Sequence, residues 1–442
     1  MKRTSLKLIR IICLVLCAFS VGAAEPWTLE RALEQALAQN PDARLAQQRI
    51  AAAQAGLEQA NAAFWPRLQF QSSYTRTDNP MMVFGTILNQ RAFRTSLDFN
   101  NVPDVDDLNA RGLVTMPLYT GGRNKAGRQA AKANTEAARQ DSAAVRNALG
   151  FEVARSFYTV LKTREFIRAA QASVASYQTN LDIAQKRLQG GTVLKTDVLD
   201  LEVRLAQARE DLVRARNASA LAERVLRNLL GIESGEFTVA DSAPVGSAPV
   251  SGDFSRRAEL AAAQSRQLAA EEQVRGAKSG FWPRVSAFGS LDYDYGWKFE
   301  HNGQSYTAGA LLQWDIWDGY LNRAKVREAR ANFESTREEQ RKVRFALDLE
   351  AEQARLELQS ARERLDVSEK AVAQAAESTS LTRARFEQGQ ALSTQLMDAE
   401  TALIAARVRR AEAEADQRIA ISALRKALGL PQLEAQLKSP NP

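Results

Sequence analysis

A tandem duplication constrains the fold of this chain more than any other feature of its sequence. Residues 64–67 read Phe-Trp-Pro-Arg, and residues 281–284 repeat these four letters 217 positions later. Further along, Leu-Gly-Ile at 230–232 is matched by Leu-Gly-Leu at 428–430, an offset of 198. The first copy therefore carries 19 additional residues, which lie before Tyr-Thr-Gly-Gly at 119–122. A period of this size excludes a short-repeat solenoid and predicts one large unit built twice.

Each copy is predicted to contain a helix, two strands, a very long helix and a further helix. The 68 residues from 122 to 189 contain no proline, which indicates a helix about 100 Å long. In the first copy, 25–232, we expect helices at about 27–63, 122–189 and 193–230 and strands at about 67–76 and 108–119. In the second copy, 254–430, we expect helices at about 254–280, 320–387 and 392–428 and strands at about 284–295 and 305–317. Residues 233–253 form a predicted linker and residues 431–442 a C-terminal tail.

The last helix of each copy has heptad-like apolar spacing. In the first copy, apolar residues recur in steps of three and four at Val198, Leu201, Leu205, Ala208 and Leu212. An ordinary amphipathic bundle explains this period but not the length, because globular helices rarely exceed about 20 residues. We therefore expect long helices packed in pairs, with alanine permitting close approach.

The predicted strands alternate apolar and polar residues. In the first strand Leu68, Phe70 and Tyr74 share one face, and glutamine, serine and threonine occupy the other. Runs of about ten residues with this alternation are typical of transmembrane β-barrels. Four strands cannot close a barrel and open edges do not survive in lipid, so several chains would have to share one barrel. The alternative is two soluble hairpins packed on the helices.

Two further features concern the ends of the strands. Aromatic residues there predict a membrane-interface belt: Trp65, Tyr119, Trp282 and Trp317. The 19 additional residues predict a longer, exposed loop between the strands of the first copy, at about 77–107.

Residues 1–24 have the pattern of a cleaved signal peptide. Basic residues up to Arg10 precede an apolar run at 11–21, and Gly-Ala-Ala at 22–24 offers a cleavage site. An uncleaved membrane anchor is the alternative, but eleven apolar residues are too few to span a bilayer. Export from the cytoplasm is the prediction.

Composition argues against most enzyme chemistry. Cys13 and Cys17, the two cysteines, lie in the leader, and His301 is the one histidine. Disulfides, Cys/His zinc sites and other multi-histidine metal sites are therefore excluded from the mature chain, and no cofactor is expected. Four of the 59 basic residues lie in the first ten positions, and the others nearly balance the 52 acidic residues. No nucleic-acid surface is expected from so even a balance.

The ordered set of leader, strand pair, long helix and glycine turn, present twice, resembles the TolC family of outer-membrane efflux proteins. The resemblance covers essentially the whole mature chain. It implies a mainly α-helical fold with a membrane β-barrel: a homotrimer whose twelve strands, four per chain, form one barrel on a long periplasmic α-helical tunnel. It also implies a passive exit duct in the outer-membrane lipid of a Gram-negative-type cell, served by a periplasmic adaptor and an inner-membrane pump, with no enzymatic activity.

The turns between the last two helices of each copy are the candidate docking positions. Glycine relieves the left-handed backbone at such helix ends, and the resemblance adds that the adaptor binds there. The adaptor-binding tips are Gly190, Gly191, Thr192 and Val193 in the first copy and Gly389, Gln390, Ala391 and Leu392 in the second.

The resemblance also implies a pore constriction just beyond the tips. Its candidate residues are Thr196, Asp197, Asp200, Gln395 and Asp398. Of two second-copy positions that are acidic in the family, Asp398 keeps the carboxylate and Gln395 does not. Phe386 and Ala391 stand where the family's closing contacts use tyrosine and arginine. The alternative for these carboxylates is a solvated helix face or a helix cap.

Two other functions fit parts of the sequence. A periplasmic adaptor also has long helical hairpins, but usually one, flanked by all-β domains that this sequence does not predict. A periplasmic hydrolase would need a catalytic constellation, and the sequence shows none. Drug efflux, metal efflux and protein export stay open as substrates of a channel.

Overall fold

The computed structural model describes residues 26–98, 100–234, 237–241, 247–249 and 253–433. The predicted signal peptide, most of the predicted tail and parts of the predicted linker lie outside the described residues. The chain divides into two compact units. One comprises Met1–Gln47, Asp141–Ala258 and Arg344–Pro442, and its described part holds the helical hairpin tips. The other comprises Gln48–Gln140 and Glu259–Val343 and holds the strands.

The helices follow the predicted order. The first copy contains α1 (Leu29–Gln39), α2 (Pro41–Ala62), α3 (Pro80–Asn89), α4 (Arg123–Gln189) and α5 (Lys195–Leu229). The second contains α6 (Ala258–Lys278), α7 (Leu321–Glu387) and α8 (Ser393–Ala427), with 3₁₀ turns at Phe254–Arg256 and Ser279–Phe281. The long helices α4 and α7 have 67 residues each. In the part of the chain that the structure describes, no helix is both long enough and apolar enough to span a membrane.

The predicted helix at 27–63 is interrupted at Asn40, where Pro41 is expected to disturb it. Proline disfavours helical backbone in the preceding residue but is tolerated in the first turn of a helix. Asn40 is accordingly extended, and Pro41 begins α2. The Asn40 side chain accepts a hydrogen bond from the Asp42 amide (2.8 Å) and donates to the Leu229 carbonyl (2.9 Å), so the break is anchored to the end of α5.

The strands form one antiparallel sheet in the order β1-β2-β3-β4. They run over Arg67–Thr77, Val105–Tyr119, Arg284–Gly296 and His301–Gln313. The two predicted hairpins are joined because β2 of the first copy pairs with β3 of the second. The duplication therefore builds a single sheet whose outer strands, β1 and β4, each keep one edge unpaired among the residues that the structure describes.

The register separates an apolar face of the sheet from a polar face. One row across the four strands is Phe70, Gly112, Leu291 and Tyr306. The neighbouring row, on the opposite face, is Gln71, Arg111, Asp292 and Ser305. Arg111 forms an ion pair with Asp292 on the polar face. The predicted alternation is thus carried across the whole sheet.

The insertion of the first copy is folded, which corrects the prediction of an exposed loop at about 77–107. Asn79 caps α3 by accepting a hydrogen bond from the Met81 amide (3.1 Å), and Pro80 occupies the first helical position. Val83 and Ile87 are completely buried, together with Ala92 and Val105. Sequence reasoning missed this helix because its length is short and its residues are apolar on nearly every side.

The unit that contains the hairpin tips, called the helical unit below, is stabilised by buried clusters rich in alanine and leucine. Leu29 and Leu33 of α1 pack with Phe157 of α4 and with Leu226 and Leu230 at the end of α5. A second cluster joins α7 to the end of α8. A third lies near the tips, formed by Tyr177, Leu181, Ala184, Val198, Leu201, Leu205, Ala208 and Met397. The predicted heptad-like stripe of α5 therefore faces the core.

Candidate functional site

The first candidate tip is a glycine-closed turn between α4 and α5. Gly191 has a φ of +70°, a left-handed conformation that glycine adopts without steric cost. Its amide donates to the Leu188 carbonyl (3.0 Å), and the Thr192 amide donates to the Arg187 carbonyl (3.0 Å). These two bonds are those of a Schellman motif, which satisfies the last carbonyls of α4.

The second tip, between α7 and α8, repeats this geometry. Gly389 has a φ of +76° and donates to the Phe386 carbonyl (3.0 Å). The Gln390 amide donates to the Arg385 carbonyl (2.8 Å). A Cβ atom built on Gly191 or Gly389 would have no neighbour within 4 Å. Both turns therefore present open backbone at the surface.

Each following helix begins with a leucine that has no polar side chain to cap it. The third helical residue supplies the cap instead: Asp197 accepts from the Leu194 amide (3.1 Å), and Gln395 accepts from the Leu392 amide (3.1 Å). The capped leucines remain 70% and 67% exposed. Each tip therefore combines an open glycine turn with an exposed apolar side chain.

The structure divides the candidate constriction residues into two groups. Asp197 and Gln395 are helix caps, and Asp197 also accepts from the Ser393 hydroxyl (3.0 Å), so both of its oxygens are engaged. Thr196, Asp200 and Asp398 are exposed. Within the described residues, Asp200 and Asp398 have no ion-pair partner. They are the carboxylates of this group that remain available to solvent or to a passing ion.

Sequence reasoning missed the polar contacts that join the two hairpins inside one chain. The Arg187 guanidinium donates to the Glu387 carbonyl (2.6 Å) and lies 4.7 Å from the centre of the Phe386 ring. The Tyr177 and Thr401 hydroxyls are 3.0 Å apart. These contacts fix the two tips beside each other.

A buried ion pair adds to these contacts. Glu400 is 3% exposed and pairs with Arg383, which also donates to the Ser176 hydroxyl (3.2 Å). One signal in the sequence could have revealed it, since Glu400 lies four positions after Leu396 in the apolar stripe of α8. A carboxylate at such a position needs a cationic partner.

The candidate belt residues lie at one end of the sheet. Trp65 and Trp282 precede β1 and β3, Tyr119 ends β2, and Trp317 follows β4. All four side chains are exposed. A second aromatic group lies at the opposite end, where the Trp297 ring is 5.8 Å from Tyr74 and 5.1 Å from Tyr295. The apolar face thus has aromatic residues at both limits.

Comparisons with known proteins agree with this architecture. The outer membrane efflux protein family matches residues 32–232 and 254–430, one segment for each copy. The pyoverdine export outer membrane protein OpmQ of Pseudomonas putida is 24% identical over 91% of this chain and 85% of its own length. The cobalt-zinc-cadmium resistance protein CzcC of Cupriavidus metallidurans is 26% identical over 50% of this chain and 46% of its own.

The fold resembles that of solved channels. The structure of CusC superimposes with a TM-score of 0.79 at 18% identity, over 91% of this chain and 92% of that one. The predicted fold class, a duplicated helix, strand pair, long helix and helix, is confirmed. Because the family matches most of the described chain, the protein belongs to the outer membrane efflux protein family, and it is an outer-membrane efflux channel of the TolC type.

Proposed function

We propose that three copies of this chain form one channel, in which twelve strands close a barrel and the long helices line a periplasmic tunnel. The channel is a passive exit duct rather than an enzyme. Its tips receive a periplasmic adaptor, and an inner-membrane pump supplies energy and selects the substrate.

The unpaired edges of the sheet carry this proposal. β1 and β4 each have a neighbour on one side, and every residue of β1 except Thr77 is exposed. Unpaired backbone groups in lipid cost several kcal/mol each, so an apolar-faced sheet in a membrane has to close. Four strands are too few, whereas pairing β1 of one chain with β4 of the next closes a twelve-stranded barrel in a trimer.

An exposed apolar stripe on α7 supports contact between copies in the helical unit. Leu349, Leu356, Val367 and Leu381 are all exposed. At about 100° per residue they fall within about 40° of one direction. Large apolar side chains aligned on one face of an exposed helix are typical of an interface.

The tips support adaptor docking. Leu194 and Leu392 stand beside two open glycine turns, so each chain offers two similar apolar contacts within one helical unit. Three chains would present six such contacts in a ring. A partner with helical hairpins of its own fits such a set, because helix ends with glycine permit close backbone approach.

The constriction rests on symmetry and charge. In a trimer, Asp398 and Asp200 would each become a ring of three carboxylates. Like charges held around a narrow axis attract cations and repel one another. The tunnel end is therefore proposed to prefer cations and to be blocked by multivalent cations from the periplasmic side.

The oligomeric state and conductance test the proposal directly. Protein purified from the outer membrane in detergent should be trimeric by light scattering and should form conducting channels in planar bilayers. Leu356→Lys, in the α7 stripe, should weaken the trimer, whereas Glu357→Lys on the adjacent exposed position should not. A monomer without conductance would overturn the proposal and would favour a periplasmic protein without a pore.

A further inference from the structure

The helix of the insertion, α3, lies on the polar face of the sheet. A Cβ atom on Gly303 would lie 1.7 Å from the Asn89 carbonyl oxygen, and one on Gly296 would lie 2.2 Å from Oε1 of Gln90. Gly303 pairs with Asp294, so its missing side chain would point to the face that carries Asp292 and Asp294. The end of α3 therefore occupies the space that side chains of this face would otherwise fill.

Specific contacts hold the residue after α3 and the segment that leads on to β2. The buried Gln90 amide nitrogen donates to the Asp106 carbonyl (2.7 Å) and to the Asp107 carboxylate (2.9 Å). Lys298 donates to Asp104 (2.7 Å), and hydrogen bonds from Lys298 and Arg76 lower the pKa of this carboxyl to about 2. The Asp104 contact therefore stays charged at any physiological pH.

The side of α3 that faces away from the sheet is apolar. Val83 and Ile87 are buried against Ala92 and Val105, the first residue of β2. At about 100° per residue, the opposite side of the helix holds Met81, Gly85 and Leu88. Met81 is 80% exposed and Leu88 is also exposed. A Cβ atom on Gly85 would have no neighbour within 4 Å. Met81, Gly85 and Leu88 therefore form an apolar stripe. The missing side chain of Gly85 leaves room between the other two for the backbone of another helix to approach closely.

We propose that this stripe is an interface between copies, in which three α3 helices meet on the barrel axis and form an apolar plug at the extracellular mouth. The inference rests on the proposed trimer. The partner is the same helix of the other two chains, because α3 is anchored to the lumen-facing side of the barrel wall and symmetry carries its exposed face towards the axis.

The dimensions of a twelve-stranded barrel place three such helices at its mouth. Strands about 4.8 Å apart and tilted by about 40° give a backbone circumference of about 75 Å and a diameter of about 24 Å. The wall occupies about 5 Å on its inner side, so three touching helices, which need a circle about 22 Å across, do not fit inside the lumen. Gly296 ends β3 and Gly303 lies near the start of β4, so α3 is held at this rim of the sheet, where its copies can meet.

The plug closes the mouth by excluding water. A constriction lined by methionine and leucine gates by dewetting, since ions do not enter a pore without their hydration. The packing of α3 against the sheet leaves one polar atom unpaired. Oε1 of Gln90 is buried and has no hydrogen-bond partner among the described residues. Leaving the wall would rehydrate this atom, which favours a plug that moves aside when substrate arrives.

Disulfide cross-linking tests the contact. Cys13 and Cys17 lie in the predicted leader, so a new cysteine would be the one expected in the exported chain. Leu88→Cys and Met81→Cys should give covalently linked chains on oxidation of the purified trimer. Leu291→Cys is the matched control, because this side chain is equally apolar and exposed but lies on the other face of a central strand. A trimer in which neither α3 cysteine links above the control would overturn the plug and leave the proposed function standing.

Labelling of the lumen tests the closure. A polyethylene-glycol maleimide added outside intact cells should label Thr115→Cys, on the polar face of β2, slowly. Adding Gly303→Val, which displaces α3 from the wall, should raise the labelling rate at least fivefold. Adding Gly112→Val should leave the rate unchanged, since a Cβ atom there has free space. Equal rates in all three backgrounds would overturn the plug, and loss of the trimer in the parent protein would overturn the proposed function and the plug together.

Discussion

The two helical hairpins end in the same turn, yet equivalent residues hold them in different ways. Glu400 of the second copy is buried in an ion pair with Arg383, while its first-copy equivalent, Glu202, is exposed and the position of Arg383 is taken by Gln185. Val203 is the first-copy equivalent of Thr401, and its side chain is exposed. The second hairpin is therefore held by its own ion pair and is joined to the first through Ser176 and Tyr177. The first-copy equivalents Glu202 and Val203 remain at the surface, where another copy is proposed to pack.

The opposite end of the helical hairpins shows the same divergence. Glu350 is held by Arg257 and Lys426, whereas its first-copy equivalent, Glu152, has an exposed Arg155 one turn away. Arg257 and Lys426 correspond to Asn40 and Asn228. The first copy uses the Asn40 amide to bind a backbone carbonyl, and the second uses charge. The two copies therefore share the same backbone arrangement, but the first is held at this position by a hydrogen bond and the second by ion pairs.

Substitution of the tip glycines should have the largest effect. Gly191→Trp and Gly389→Trp should abolish efflux while leaving the trimer inserted, because a large side chain would cover the approach to the turn. Gly191→Ala separates strain from bulk, since a left-handed alanine costs about 1 kcal/mol but fills little space. Drug or ion export in cells measures the effect. Failure of the tryptophan variants to assemble would assign the effect to folding instead.

Loss of the buried carboxylate should have the next largest effect. Glu400→Ala should lower the free energy of unfolding by about 2 kcal/mol, less than the ~3–5 kcal/mol of a fully buried pair because Arg383 is half exposed. Glu202→Ala, at the equivalent exposed position, should change it by less than about 0.5 kcal/mol. Urea unfolding followed by circular dichroism compares the two. Similar values would show that the hairpins are held alike.

The two exposed carboxylates should differ in multivalent cation block. Asp398→Ala should weaken the block several-fold, because the resemblance places the second-copy carboxylate on the tunnel wall. We expect a smaller change for Asp200→Ala and none for Asp292→Ala, whose carboxylate is paired with Arg111 on the sheet. Single-channel recording with the blocker on the periplasmic side gives the comparison. Equal block in the wild type and Asp398→Ala would place the constriction elsewhere.

The smallest predicted effect is a pH dependence at Glu350. Burial acts to raise its pKa, but the hydrogen bonds from Lys426 and Arg257 outweigh burial and leave the pKa below its usual value. A lowered folded pKa stabilises the protein above the unfolded value of about 4.3, and this stabilisation is lost as the pH falls through the folded pKa. Glu350→Gln should therefore cost less than about 1 kcal/mol at neutral pH and flatten the decline of stability below about pH 5. Thermal unfolding of the wild type and of Glu350→Gln across this pH range measures the effect, and parallel profiles would contradict it.

Local patterns in the sequence determined much of the fold. The proline-free stretch 122–189 became Arg123–Gln189, because a helix needs only its own backbone and a compatible run of residues. The glycines at 191 and 389 have the left-handed conformation expected of helix ends. The alternation in the strands determined which residues share a face, since that property depends on the period of the strand alone.

Contacts between distant residues were decided by the tertiary structure. Pairing of β2 with β3 joins residues about 180 positions apart, and no periodicity specifies a neighbour. The folding of α3 onto the polar face depends on space above Gly296 and Gly303 in another strand pair. Asp197 became a cap that also binds Ser393, because the two tips lie side by side. The sequence determined elements and faces through local backbone and side-chain preferences, whereas the partners of each face depended on which distant surfaces fit together.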